Sequence, residues 1–351
     1  MEKKSKQGRD LPDEIIMGKK LIILSEQKSY IKKGSSAPQV DGQERAFLKY
    51  GKGDVDIKYK NIVLKNINRI NKKLHLPLIC DPFTKKKYDN SVFIFISVNL
   101  NYLEENAYLL KELKKHGNEI ALYNYDCWEP EFEEWRKVID EINPEYLFFA
   151  YKLTDEYYRS KGYNSHWAPL SADYEVFNTR DLPKTRMFMQ MGRFNEEMHR
   201  NILNYLKNHD LEDNRENYAY RRNRNETLYP DYDELVNEIN KTKYFVCVPK
   251  YYENFKRTGN VNDIICRYFE AMICKTLVIG KKPETWPELF PYEAMLTFKD
   301  DGSDFDEKID YYEKNPDKYQ ELVDKNYDFI LEHHSWGNRL DTIMKAINGE
   351  I

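Results

Sequence analysis

Short apolar runs, each followed by a stretch in which apolar positions recur every three or four residues, alternate along the whole chain. The clearest is Val92 to Ser97 (VFIFIS), continuous and apolar as a strand covered on both faces must be. ENAYLLKELKKHG follows it, with Ala107, Leu110 and Leu113 at helical spacing and Gly117 at the end. Lys19 to Glu26 (KKLIILSE) is a shorter strand-like run, and Gly34 to Gly42 (GSSAPQVDG) reads as the loop from it into a helical stretch, QERAFLKYG. Asp56 to Leu64 reads as a strand. Glu119 to Tyr125, a helix over Phe132 to Ile142 and an apolar run over Tyr146 to Tyr151 continue the alternation, which predicts a mostly parallel sheet flanked by helices.

The pattern restarts at Met187 to Met191 (MFMQM), with Gly192-Arg193 and a helix over Glu196 to Asn208 behind it. Between Asp210 and Asp231 the chain turns polar and reads as a surface loop. A helix over Tyr232 to Asn240, a strand over Tyr244 to Pro249, a loop holding Gly259, a helix from about Asp263 to Ile273, a strand over Thr276 to Ile279 and closing helices complete the chain. The expected organisation is α/β: an N-terminal tail at 1–17, one Rossmann-like unit at 18–178, a second at 179–335, and a terminal helix at 336–351.

A length of 351 residues agrees with about two domains. With 55 basic and 59 acidic side chains and a net charge of -4, nothing favours a nucleic-acid partner. No apolar stretch approaches the roughly 18 residues of a membrane helix, and the opening Met-Glu-Lys-Lys-Ser-Lys-Gln lacks the apolar segment of a secretion signal, so the expected compartment is the cytoplasm. Five cysteines without a C-x-x-C pair read as buried thiols, and seven histidines without ligand spacing give no metal site.

The segment Val248 to Gly280 carries the most chemistry: strand, polar loop, helix, strand. Ligands of open α/β sheets sit beyond the carboxyl ends of strands, where helix N-termini offer free amides to an anion, and Lys250 and the Asn262-Asp263 helix start occupy such a place. On that helix Asp263, Arg267, Glu270 and Cys274 share one face. From Asn262 to Glu270 a helix rises about 12 Å, the reach of a nucleotide from diphosphate to ribose, whose hydroxyls a carboxylate can accept. The plain alternative is an ordinary helix with a solvated Arg-Glu pair.

The run Arg267-Tyr-Phe-Glu270-Ala-Met with Pro287-Glu-Leu-Phe beyond it resembles the donor-site helix of GT-B glycosyltransferases, especially the CgeB-type spore-maturation group. HHSWGNRLDTIMKAI is similar to the terminal helix of that group, MFMQMGRFNEEMHRNILNYL to the opening of its second domain, and HWAPLSADYEVF to its interdomain stretch. The likeness runs from Trp167 onward; the first half matches only as a β-α pattern.

The resemblance implies a GT-B fold with two Rossmann-like domains facing a cleft and a terminal helix packing back toward the first. It implies metal-independent transfer, without cofactor, of a sugar from a nucleotide-sugar donor to a glycan, lipid-linked or protein acceptor, with retention favoured and peripheral membrane contact open. Glu270 would bind ribose, Arg193 and Arg200 would neutralise the donor diphosphate, and Arg267 would either contact the donor or orient Glu270. Two departures stand out: retaining members often carry a glutamate where this chain has Asn262, and Cys274-Lys275 replaces a small residue and glycine.

The acceptor hydroxyl needs a base or a positioned phosphate to take its proton. Asp126, at the carboxyl end of EIALYNYD, is the candidate, with a local capping role as its alternative. His166 and Asp173 fall near the expected hinge and read as structural. Gly34 and Gly42 suit either a ligand loop or a surface turn. Asp54-Val55-Asp56 is a D-x-D that precedes a strand rather than following one, and Arg221, Arg222 and Arg224 form either an anion site or a solvated face. Two other readings remain: a non-catalytic nucleotide-binding or assembly module on the same fold, and a metal-dependent enzyme using Asp54 and Asp56.

Overall fold

A computed structural model describes residues 18–26, 37–60, 82–192, 194–222, 226 and 228–351. The expected tail at 1–17 lies outside them. Two parallel sheets carry the architecture. The first contains β1 (Lys20–Glu26), β2 (Val55–Lys60), β3 (Ser91–Ser97), β4 (Glu119–Asn124), β5 (Tyr146–Phe149) and β6 (Ser165–Trp167) in the order β2-β1-β3-β4-β5-β6. The second contains β7 (Arg186–Gln190), β8 (Tyr218–Tyr220), β9 (Thr242–Cys247), β10 (Leu277–Gly280) and β11 (Leu296–Thr297) in the order β11-β10-β9-β7-β8. Every pairing is parallel, as expected when helices connect successive strands. The arrangement is the two-unit, Rossmann-like GT-B fold.

The first unit carries α1 (Ala37–Tyr50), α2 (Leu100–Lys115), α3 (Phe132–Ile142) and α4 (Lys152–Ser160). The second carries α5 (Glu196–Asn208), α6 (Tyr232–Asn240), α7 (Cys266–Ile273), α8 (Phe305–Lys314) and α9 (Pro316–His333), and the chain closes with α10 (Trp336–Ile347). Several starts follow from the side chain before them. Asn99, Asn195 and Asp231 each accept an amide of the first turn of α2, α5 and α6, and Ser335 and Asn338 form a capping box on α10.

Three expectations are corrected. Of the expected Gly34–Gly42 loop, residues 34–36 lie outside the described residues and the rest is helix, because α1 begins at Ala37 and Gly42 lies within it; Pro38 sits in the first turn, where a missing N–H costs nothing. A glycine in mid-helix is required by proximity: a Cβ on Gly42 would lie 2.7 Å from the Asp173 side chain. The polar stretch after Asp210 hides β8, whose three residues are buried and pair with β7 from Phe188↔Tyr218 to Gln190↔Tyr220. The helix holding Glu270 starts at Cys266 rather than Asp263, since Ile265, its cap, is extended and the buried Ile264 anchors the segment before it in the core.

Helix α10 packs into the core of the first sheet through Trp336, Leu340, Ile343, Ala346 and Ile347. Trp336 stands edge-on to Phe47 and Tyr123, with ring centroids 6.3 and 6.2 Å apart. The two strands of chain that join the halves are tied together just before it. Ser171 Oγ and Tyr174 Oη donate to the His334 carbonyl at 2.5 and 3.0 Å, and the buried Arg339 donates to the Pro169 carbonyl and to His334 Nδ1, both at 2.9 Å. His334 gives its Nε2 proton to the Leu289 carbonyl at 2.8 Å. Burial and the neighbouring Arg339 push its pKa down to about 3, which keeps the ring neutral.

Candidate functional site

In each sheet the strand order reverses once, between β1 and β3 and between β7 and β9. Such switch points leave a crevice beyond the carboxyl ends of the strands, the place where open sheets bind ligands. The two crevices adjoin. Asp126 and Trp128, beyond β4, meet Lys250, beyond β9: the lysine Nζ is 3.7 Å from Asp126 Oδ2 and 4.3 Å from the Trp128 ring centroid. Glu129 accepts from the Asn260 backbone and side chain at 2.6 and 3.2 Å. Beyond β5, the amide of Lys152 donates to Asp263 Oδ2 at 2.8 Å and its ammonium to Glu288 at 2.7 Å.

That Lys152 bond explains what Asp263 does. Tyr151, the residue capping α4, supplies no side-chain acceptor, and the carboxylate from the other half takes its place. Asp263 therefore belongs to the junction between halves, not to the face of α7 on which its spacing placed it. Burial pushes its pKa up to about 7.

On the second sheet, Glu270 is 3% exposed, in the middle of α7. Its Oε2 lies 3.1 Å from Arg267 Nη1, but the pair lacks hydrogen-bond alignment, and neither atom has a hydrogen-bond partner among the described residues. Burial raises the carboxyl pKa, against the pull of Arg267. Gly192 turns the chain after β7 with φ +84°, and a Cβ there would lie 3.9 Å from Arg267 Nε. Arg221, beyond β8, donates to the Gly192 carbonyl at 2.6 Å. The ends of β7 and β8 thus close on the Arg267–Glu270 pair.

The other candidates scatter. Arg193 lies outside the described residues. Arg200 is exposed on α5, with no contact to the Glu270 cluster among the described residues. Asn262 is buried, its carbonyl accepting from the Glu284 amide at 3.0 Å and its Oδ1 without a hydrogen bond among the described residues. Asp126 accepts from Tyr151 Oη at 3.0 Å and lies 4.0 Å from Arg257 as well as near Lys250. Asp56 pairs with Lys58 at 3.3 Å and, like Asp54, sits at the amino edge of its sheet, opposite the crevice. Among the described residues no three potential metal ligands gather. Arg222 is bound to Asp213 at 3.1 Å and stacked on Tyr220 at 4.6 Å, while Arg224 lies outside the description. His166 stacks on Phe148. Asp173 binds Arg45 of α1 across the junction.

Sequence reasoning missed three groups. Tyr151 and Arg257 hold Asp126 from elements too far along the chain for any spacing rule to link. Asn124, buried at the end of β4, has neither amide atom hydrogen-bonded among the described residues. A cavity of about 160 Å³ lies beside Glu270, bordered also by Cys266, Tyr232, Phe177, Asp173 and Arg45.

Residues 216–345 match a sequence family described as Glycosyl transferase-like, a similarity confined to the carboxyl-terminal part of the chain. No curated protein sequence matches the chain. Among solved structures, a protein described as UDP-N-acetylglucosamine 2-epimerase from Listeria monocytogenes aligns with a TM-score of 0.49 at 9% identity, over 95% of this chain and 97% of that one. The Glycosylation Associate Protein (Gap123) complex from Streptococcus agalactiae aligns with a TM-score of 0.50 at 9% identity, over 79% of this chain and 58% of that one. At such identities the likeness is one of fold. Among the described residues no helix is long and apolar enough to cross a membrane.

Proposed function

We propose that the chain is a glycosyltransferase that moves a sugar from a nucleotide-sugar donor to a glycan, lipid-linked or protein acceptor without a metal ion. One observation carries the reading: Glu270 keeps a buried carboxylate oxygen that has no hydrogen bond among the described residues, at the crevice of the half whose sequence matches a glycosyl transferase-like family. Burying such an oxygen costs about 1–3 kcal/mol, and a ligand with adjacent hydroxyls removes that cost. Ribose has that chemistry. Arg267 holds the carboxylate in place and limits the rise of its pKa.

The leaving nucleoside diphosphate gains negative charge as the glycosidic bond breaks. Lys250 and the first-turn amides of α7, which carry no side-chain cap, supply fixed positive charge for it. The acceptor hydroxyl attacks the anomeric carbon, and Asp126, held by Tyr151, takes its proton. Retention, which the family resemblance favours, instead requires the acceptor to enter on the leaving-group face with an oxygen of the departing diphosphate taking its proton, whereas attack from the opposite face with Asp126 as base inverts, so the anomer of the product separates the two. A second reading is a non-catalytic binding or assembly module, favoured by Asn262 standing where retaining members carry a glutamate and by the fold-level likeness to the Glycosylation Associate Protein complex.

Calorimetric titration with UDP-, GDP-, CMP- and ADP-sugars, wild type beside Glu270→Ala, tests the donor site. Saturable binding of one nucleotide family is expected, unchanged by EDTA and at least about tenfold weaker in the variant. Absence of binding to all of them overturns the reading. Binding without release of nucleotide across an acceptor panel selects the module.

A further inference from the structure

The cavity beside Glu270 is small and assembled from both halves. Its walls include Cys266 and Glu270 of α7, Tyr232 at the start of α6, Val176 and Phe177 of the connecting segment, and Arg45 of α1. The buried Glu270 carboxylate, whose Oε2 is paired with Arg267 but has no hydrogen bond among the described residues, stands at its border, and apolar side chains make most of the remaining wall.

We infer that this cavity receives the base of the donor nucleotide and selects a single-ring pyrimidine over a purine, with Glu270 on the ribose hydroxyls. The inference rests on the donor-site reading above and adds the class of donor.

Size carries the argument. The volume is about 160 Å³, and an apolar cavity of roughly 150 Å³ takes one benzene-sized ring. A fused two-ring base needs an inner wall to retreat or must protrude past the exposed Tyr232, and the inner walls are pinned. Phe177 and Cys266 are built into the buried cores. Gly42 lets α1 lie so near the connecting segment that a Cβ there would already meet Asp173, so α1 stands at its closest approach. Polar recognition is available as well. Arg45 offers N–H donors to ring carbonyls, while Asp41 and Asp173, both bound to it, offer carboxylate acceptors to a ring N–H or exocyclic amine. Tyr232, 42% exposed, forms the outer wall and presents a ring face for stacking.

The test is calorimetric titration of the full chain with UDP, CDP, ADP and GDP, which share the diphosphate and differ in the base. UDP or CDP is expected to bind at least tenfold more tightly than either purine nucleotide. Val176→Trp, which fills the cavity from a half-buried wall, is expected to weaken that binding at least tenfold. Tyr232→Ala, at a position 42% exposed, is expected to shrink the pyrimidine preference by removing the outer wall. Equal or tighter purine binding that is lost in Glu270→Ala overturns pyrimidine selection and leaves the donor site standing. A pyrimidine preference untouched by both cavity variants places the base elsewhere and overturns the assignment. Failure of all four nucleotides to bind removes the donor-site reading itself.

Discussion

Replacing Asp263 with asparagine is expected to stabilise the protein above neutral pH and to flatten the pH dependence of its stability. The carboxyl is 5% exposed, accepts one backbone N–H from Lys152 across the junction, and has its pKa pushed up to about 7 by burial. In the unfolded chain it ionises near its ordinary value of about 3.9. Between those two values the folded protein holds a proton that the unfolded chain has lost, so stability falls as pH rises, by about 1.4 kcal/mol per pH unit. The loss is on the order of 4 kcal/mol by pH 7 and stays constant above it. Asparagine keeps an acceptor oxygen for the Lys152 amide and carries no charge to bury, and its amide faces the Thr285 hydroxyl that borders Asp263. Urea unfolding of both proteins at pH 5 and pH 8 reads the difference directly. The advantage of Asp263→Asn should grow by about 3 kcal/mol between the two pH values. Asp263→Ala, which strands the Lys152 N–H, should fall below the asparagine variant at both by about 1 kcal/mol. Parallel pH profiles for wild type and Asp263→Asn would refute the reasoning, because they would mean the junction between the halves is open to water at this carboxyl.

Two further outcomes follow from the junction. Gly42→Val adds a branched Cβ at 2.7 Å from the Asp173 side chain, so α1 must move off the connecting segment; a loss of about 1–3 kcal/mol in urea unfolding is expected, with weaker nucleotide binding through the disturbed cavity wall. Arg339→Leu leaves the Pro169 carbonyl and His334 Nδ1 buried without their donor and should cost about 2–5 kcal/mol, which Arg339→Lys should recover only in part because an ammonium lacks the planar fork that reaches both.

Much of the fold was legible because it rests on local periodicity. Phe132–Ile142, Glu196–Asn208 and Tyr232–Asn240 are helices over the same residues that their apolar spacing marks, and the continuous run around Val92 is a strand buried on both faces. What escaped was short or non-local. Strand β8 is three residues set among charges, too few for a period to show, and it owes its conformation to pairing with β7. The helix expected from about Asp263 starts at Cys266, and the Asp263 carboxylate caps α4 of the other half, 111 residues away.

The candidate site divides in the same way. Arg267 and Glu270 could be paired from sequence, since a helix brings residues three apart to one side whatever surrounds it. Whether that pair would be solvated or buried was undecidable from spacing, and burial is what leaves Glu270 with an unsatisfied oxygen. Likewise the residue order places Asp126 and Lys250 each at the end of a strand, but their 3.7 Å approach arises only when the carboxyl ends of the two sheets meet. The chain alone determined two β-α units, their helices and the chemistry available at each strand end, because those depend on neighbours within a few residues. The tertiary structure decided which groups lose water, which carboxylate caps which helix and how large a cavity remains beside Glu270, because desolvation and volume are set by atoms distant in sequence.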